Sequence, residues 1–236
     1  MSHGLRLVSV VVPSRGDAAP LARLLADLPP ADDLETIVSR TGPDDPAEAS
    51  LRASRPDVRW VDGPAGRGVQ LNAGAAAAVG EWLWFVHADC RVPFDWRAAF
   101  LAAEAARPPV VGGSFTFALE SATWQARVLE RGVALRVRWL GLPYGDQGIF
   151  VRREVFRRLG GFQPWPLMED VEFVRRLTRH GPVRHLSQRM PTSARRWERD
   201  GWWRRSGANL LTLAGYFAGI PPERLARRYD RRTPAP

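Results

Sequence analysis

Trp82-Leu83-Trp84-Phe85-Val86-His87-Ala88-Asp89 is a run of large apolar residues that ends in a carboxylate. An uninterrupted apolar run of this kind predicts a strand of a mostly parallel sheet, covered by helices on both faces. Ligands of open α/β sheets bind beyond the carboxyl ends of the strands, so Asp89 stands where such a fold does its chemistry. A carboxylate there suits a divalent cation held against a phosphorylated ligand. It equally suits a polar strand end that caps the next turn, and taken alone the stretch leaves the two readings even.

Outward from this run, strands and helices alternate. Residues 7–12 predict a strand whose pairing Pro13 ends, and Asp17 caps a helix that reaches Leu28 before Pro29-Pro30 stop it. A second strand is expected over 35–39, a short helix over 46–55 and a third strand over 58–61. Gly63-Pro64-Ala65-Gly66-Arg67-Gly68 then leads into an alanine-rich helix, 69–79, closed by Gly80. Beyond Asp89, a helix over 95–106 and a strand over 110–117 continue the pattern. The alternation predicts a single α/β domain with a mostly parallel sheet flanked by helices. In the second half, Gly145-Asp146-Gln147-Gly148 turns into a short strand, and a helix runs to Leu159 before Gly160-Gly161-Phe162. Met168-Glu169-Asp170-Val171-Glu172-Phe173 opens another helix that ends at Gly181. Its two leading acids suit the positive end of the helix dipole, which explains them without a site.

The chain has 236 residues and one cysteine, Cys90, which excludes an internal disulfide and suits a reducing compartment. The formal charge is +9 and no lysine is present, so every Lys-or-Arg position is arginine. Guanidinium forks bind phosphate well, although a GC-rich coding bias produces the same excess. No nucleic-acid motif surrounds the arginines, and no nucleic-acid partner is expected. The apolar runs at 7–12 and 210–220 fall short of a secretory core and a membrane span, so a cytoplasmic protein is expected. Residues 195–236 form a basic, Trp-rich helical segment in which Trp203, Leu210, Ala214 and Phe217 share a face. That stripe either packs on the domain or rests on an anionic surface at the inner face of a membrane.

Taken together, Gly66-Arg67-Gly68 with Gln70-Leu71-Asn72-Ala73-Gly74, Phe85-Val86-His87-Ala88-Asp89, Gly145-Asp146-Gln147-Gly148, Gly160-Gly161-Phe162, Met168-Glu169-Asp170-Val171-Glu172 and Ser193-Ala194-Arg195-Arg196-Trp197 resemble the family 2 glycosyltransferases. Several spaced matches in one order, from Val8 to Tyr229, are far more specific than any one of them. The nearest likeness is to a small bacterial subgroup associated with radical-SAM or selenium-domain proteins. The resemblance implies a GT-A fold over 1–194. It implies a metal-dependent, inverting hexosyltransferase that moves a sugar from a nucleoside-diphosphate sugar to an acceptor hydroxyl. The family's Asp-x-Asp motif falls on His87-Ala88-Asp89, so Asp89 inherits the metal, Mg²⁺ or Mn²⁺. The family's Glu-Asp pair falls on Glu169-Asp170, with Asp170 as general base. By the same resemblance Pro13, Ser14, Arg40, Arg67, Asn72, Ala88 and Asp89 border the donor.

One position departs from the family. Arg40 stands where an aspartate contacting the nucleobase is expected, and a guanidinium cannot accept a hydrogen bond from uracil N3–H. Either Asp44 or Asp45 substitutes, or the donor carries another base; a guanidinium suits the O6 and N7 edge of guanine. Two other functions stay open at this point: a nucleotidyltransferase on the same fold, and a non-catalytic nucleotide-sugar-binding module. The absence of a lysine-containing Gly-rich loop near Val12-Pro13-Ser14-Arg15-Gly16 argues against the first.

Overall fold

The computed structural model describes residues 7–16, 18–43 and 45–232, with side chains as far as Tyr229. Asp17 and Asp44 lie outside the described residues. The strands are β1 (Val8–Ser14), β2 (Leu34–Arg40), β3 (Arg59–Asp62), β4 (Trp82–Phe85), β5 (Gly112–Leu119), β6 (Phe150–Arg152) and β7 (Val183–Thr192). They form one seven-stranded sheet in the order β3-β2-β1-β4-β6-β5-β7. The β1, β2, β3 and β4 pairings are parallel, as is β5 with β7. The short β6 runs antiparallel between β4 and β5. The sheet is therefore mostly parallel and flanked by helices, the architecture the alternation predicts.

The period of two along the strands sends side chains to two cores. Val8, Val10 and Val12 of β1, with Trp82 and Trp84 of β4, pack under α1 (Ala18–Ala26) and α4 (Trp96–Glu104). Here Trp84 stacks on Phe115 at 4.9 Å and meets Phe100 edge-on at 5.4 Å. On the other face, Val11, Leu83 and Phe85 pack under α3 (Arg67–Ala77), α6 (Arg153–Arg158) and α7 (Glu169–His180). Each fully buried Leu or Phe contributes roughly 1.5–3 kcal/mol relative to exposure. This burial on both faces is why the strands read as continuous apolar runs.

Three local outcomes differ from the sequence reading. Pro13 lies inside β1 rather than ending it. Val11 accepts from Val86 on the β4 side and Ser14 accepts from Thr41 on the β2 side. Alternation therefore turns the Pro13 nitrogen toward β4, beyond the last paired residue Val11, where no ladder hydrogen bond is required. β4 itself stops at Phe85, so Asp89 sits on a loop four residues past the strand and not at its end. Finally, α5 (Trp124–Leu140) and β7 were not expected. Of the helix only Ala126 and Val137 are buried, and the edge strand alternates with exposed polar residues, so neither carries a strong apolar period.

The remaining elements are α2 (Pro46–Ser54), whose N-terminus Asp45 caps by accepting from Ala47 N at 2.8 Å, and the C-terminal helices α8 (Arg195–Asp200), α9 (Trp202–Phe217) and α10 (Pro222–Arg232). The C-terminal segment packs on the domain through Leu213 and Leu225, which join the core under α7. The stripe of Trp203, Leu210, Ala214 and Phe217 is not the packed face; it points outward.

Candidate active site

A cleft opens beyond the carboxyl ends of β1 and β4. Its walls carry Arg67 from the start of α3, His87 and Asp89 from the loop after β4, Asp146 from a 3₁₀ turn, and Asp170 from α7. Arg196, Arg205 and Tyr229 of the C-terminal helices close the opposite side. Pairing explains the convergence. Arg91 N donates to Pro191 O at 2.7 Å and Ser193 N donates to Asp89 O at 3.1 Å, which ties the loop after β4 to the end of β7. Residues distant in sequence thereby share one rim.

The 3₁₀ turn Gly145–Gln147 sets the floor. Its Gly145 N–H donates to Asp170 Oδ2 at 2.8 Å, and the other oxygen, Oδ1, accepts from Val171 N at 2.8 Å. A side chain at Gly145 would place its Cβ 2.7 Å from His87 Nε2, so only glycine admits the imidazole here. Met168, which precedes the Glu169-Asp170 pair, holds φ at 68°. A non-glycine residue in that region costs of order 1–3 kcal/mol, and such strain gathers at functional turns.

Charges inside the cleft are strongly perturbed. Burial, then the Arg67 guanidinium, pushes His87 down to about 4 against the pull of Asp89 and Asp170, so its imidazole is neutral at pH 7. Burial pushes Asp146 up to about 6; Arg136 opposes this, while Asp170 and Asp89 add to it. Asp146 Oδ1 is buried and has no hydrogen-bond partner among the described residues. Glu169 is fully buried and accepts from Arg67 Nε through Oε1, while its Oε2 is left without a partner among the described residues. Burial raises the Glu169 carboxyl, and Arg67 pulls it back. Burial works to lower Arg67, but Glu169 and Asp170 outweigh it and keep the guanidinium charged.

The structure brings together Arg67, Asp89, Asp170 and, just behind them, Glu169. It does not bring the other expected donor residues to this rim. Asn72 spends its amide on a clamp, donating to Phe162 O at 2.8 Å and accepting from Phe162 N at 2.9 Å. Ser14 is buried and donates to Glu48 Oε1 at 2.8 Å, next to Pro13 in β1. Arg40 is also buried; its Nε donates to Glu48 at 3.1 Å, Nη1 to Asp62 at 2.9 Å and Nη2 to Pro43 O at 3.0 Å. The three nitrogens of Arg40 thus bond to the scaffold at the ends of β2 and β3, away from the Asp89 rim. Ala88 sits between His87 and Asp89 on the loop and packs at the core edge. Two groups that the sequence did not single out for a role are Asp146 and Arg205. Asp146 lies in the quoted Gly145–Gly148 motif and Arg205 in the basic, Trp-rich segment, which were the available signals.

The residues offer a partial fit to a divalent cation. No group of three His, Cys, Asp or Glu side chains is arranged to hold a metal among the described residues. Asp89 on the rim and the orphaned Asp146 oxygen match a cation that takes one or two carboxylates and completes its shell with phosphate and water.

The glycosyl transferase family 2 profile matches residues 9–160, and the chain belongs to that family. No curated protein matches it. Among solved structures, it is similar to a Pyrobaculum calidifontis mannosyltransferase, PcManGT, solved with GDP-Man and Mn²⁺. That pair has a TM-score of 0.67 and 21% identity, covering 92% of this chain and 65% of that one. It is also similar to S. aureus TarS 1-349, with a TM-score of 0.61 and 14% identity over 88% of this chain and 64% of that one. A further TarS structure, in complex with UDP-GlcNAc, has a TM-score of 0.61 at 15% identity, over 79% of this chain and 58% of that one. The chain thus spans about two thirds or less of these relatives. At such identities the likeness establishes the fold, a GT-A-like α/β sheet.

Proposed function

We propose that the protein is an inverting glycosyltransferase that takes a nucleoside-diphosphate sugar and delivers the sugar to an acceptor hydroxyl. The observation that carries this reading is the cleft's division of charge. Asp89 and the guanidiniums of Arg67 and Arg196 line it together with Asp170, which is fixed in place by two backbone N–H groups. Asp89, with Asp146 beside it, would hold Mg²⁺ or Mn²⁺, and that ion would offset charge on the departing diphosphate. Arg196 faces the same diphosphate as a fixed cation. Asp170 takes the acceptor proton as the hydroxyl attacks the anomeric carbon, and inversion follows when attack and departure occur on opposite faces. Glu169 holds Arg67, and so positions it against the donor. Neutral His87 packs on the Gly145 turn and adds no charge beside the cation. Support from relatives is consistent: similar structures carry GDP-Man with Mn²⁺ and UDP-GlcNAc. Within the family, the motifs at His87–Asp89 and Gly145–Gly148 support our reading of the chain as a member of the radical-SAM- or selenium-domain-associated subgroup.

The test is calorimetric titration of GDP-mannose and UDP-GlcNAc with Mn²⁺ and with EDTA, on wild type and Asp89→Ala. Saturable binding that needs both the metal and Asp89 is the expected result. Metal-independent binding that Asp89→Ala leaves unchanged removes Asp89 from the metal role. Tighter binding of nucleoside triphosphates than of any nucleotide sugar overturns the transferase reading.

A further inference from the structure

The outward faces of α5 and α9 are apolar, and no element of the described fold covers them. On α5, Trp124, Val128, Leu135 and Trp139 recur at helical spacing and all are exposed, Trp139 by 75%. On α9, Trp203, Leu210 and Phe217 do the same, Leu210 by 67%. The helices meet near their N-terminal ends, where the rings of Trp124 and Trp203 lie 5.7 Å apart. Leu140 and Phe217 border one groove at the opposite ends, so the two stripes approach each other at both ends. Contiguous apolar surface of this kind marks an interaction site on a folded protein.

Its rim is cationic. Arg131 and Arg138 follow one edge of the α5 stripe, and neither makes an ion pair among the described residues. Arg179 borders the groove beside Phe217, and the Arg175 guanidinium stands 5.2 Å over the Phe217 ring. The α9 sequence contains no acid at all. Trp and Leu side chains that enter an acyl boundary, with arginines reaching up to phosphates around them, describe an interfacial helix on an anionic bilayer. A second copy fits poorly, because a two-fold contact would set this arginine rim against itself on chains that each carry +9.

We infer that the α5–α9 face docks in the plane of a membrane that contains anionic lipid. No helix of the described residues is long and apolar enough to cross a membrane, so the contact is with the surface. The other side of α9 carries Arg205, Asn209 and Thr212 into the cleft. Docking therefore sets the cleft about 10 Å from the lipid, one helix diameter.

Vesicle flotation tests this, with phosphatidylcholine alone and with phosphatidylcholine mixed with phosphatidylglycerol, alongside tryptophan emission. The wild-type protein should float with the mixed vesicles, shift its emission to the blue, and release as salt is raised. The double variant Leu135→Glu/Trp139→Glu should stay in the soluble fraction with an unchanged melting temperature, because both side chains are solvent-facing. Arg131→Glu/Arg138→Glu should weaken partitioning by more than about tenfold. Three results would overturn the inference. One is wild-type protein that floats with neither vesicle. Another is flotation that Leu135→Glu/Trp139→Glu leaves intact. The last is a dimer by light scattering that the same double variant converts to monomer, which would assign the face to a second copy.

Discussion

Asp170 accepts one backbone N–H on each carboxylate oxygen, from Gly145 and from Val171. Each oxygen keeps a second lone pair, so the group is fixed in direction and still able to take a proton from an acceptor hydroxyl. Asp170→Asn should reduce turnover by about 10²–10⁴-fold while leaving donor affinity near wild type. It should also destabilise the fold by about 1–3 kcal/mol, because the new NH₂ faces one of those N–H donors. Turnover, donor titration and thermal unfolding separate the two effects, and wild-type turnover in this variant would move the base elsewhere. Asp146 and His87 make a second prediction, in pH. Asp146 is raised to about 6, so its contribution to stability is complete below its unfolded value and is lost as pH rises through 6. His87 is lowered to about 4, so its contribution is present above its ordinary value and is lost as pH falls toward 4. Between these limits the folded state holds a neutral imidazole beside a protonated carboxyl, and the unfolded chain holds both groups charged. The two slopes oppose each other, and stability should be nearly flat from this pair. Asp146→Asn removes one slope, so its unfolding free energy should fall by up to about 3 kcal/mol relative to wild type as pH drops from 6 to 4. A constant difference between the two proteins across that window would refute the assignment.

At the scale of elements, α3 and the β1–β2 edge show how donor-side residues serve the scaffold. Gln70 donates to Ser14 O at 2.7 Å and to Ser39 O at 2.9 Å, which ties α3 to both strands. Two residues on, Asn72 clamps the chain at Phe162, and Gly68 approaches Gln163 so closely that a Cβ would lie 2.6 Å from its carbonyl. These contacts hold the start of α3, and with it Arg67, against the segment that leads into α7. Across the sheet edge, Arg40 joins Glu48 of α2 to Asp62 of β3. Glu48 is almost completely buried, so Arg40→Ala leaves its charge with Ser14 as hydrogen-bond donor but without its guanidinium partner. Breaking a buried pair in this way costs about 3–5 kcal/mol. Arg40→Ala should therefore lower the denaturant midpoint markedly and leave the relative affinities for UDP, GDP and CDP unchanged. Asn72→Ala should act in the same direction, by about 1–3 kcal/mol, since it strands the Phe162 backbone groups. Competition binding beside urea unfolding checks both, and a switch in base preference in Arg40→Ala would restore Arg40 to the donor site.

For the whole molecule, what the sequence made legible follows burial. β1, β2, α3, β4 and α7 bury an apolar face or stripe, and their periods show it. α5 and β7 lie at the surface with mixed faces, and nothing local marks them. Asp89, Arg67 and the Glu169-Asp170 pair were visible as chemistry at predicted element ends. The role of Asp146 was not, because it depends on a 3₁₀ turn that a strand pairing carries to the rim. Nor was the far wall, because it depends on the hydrogen bonds between the loop after β4 and the end of β7 and on the packing of the C-terminal helices. That wall also bears on the division at residue 194. Ala194 is buried with Phe117 and Ala126, and Arg196, Arg205 and Tyr229 beyond it line the same cleft as Asp89. Arg196, Arg205 and Tyr229 thus line the candidate site, and Leu213 and Leu225 join the core, so this segment is not an appendage. Truncation after Ala194 should lower thermal stability by exposing the cores under α7 and beside α5. It should also remove the response to donor. A ligand at a hundredfold over its dissociation constant stabilises the native state by about 2.7 kcal/mol. The full chain should show that increment with nucleotide sugar and Mn²⁺, and the truncated chain should show none. Differential scanning fluorimetry at matched ligand concentration reads both. If the truncated chain, once melted cooperatively, keeps the whole increment, then Arg196 does not touch the diphosphate and the C-terminal wall serves the acceptor alone.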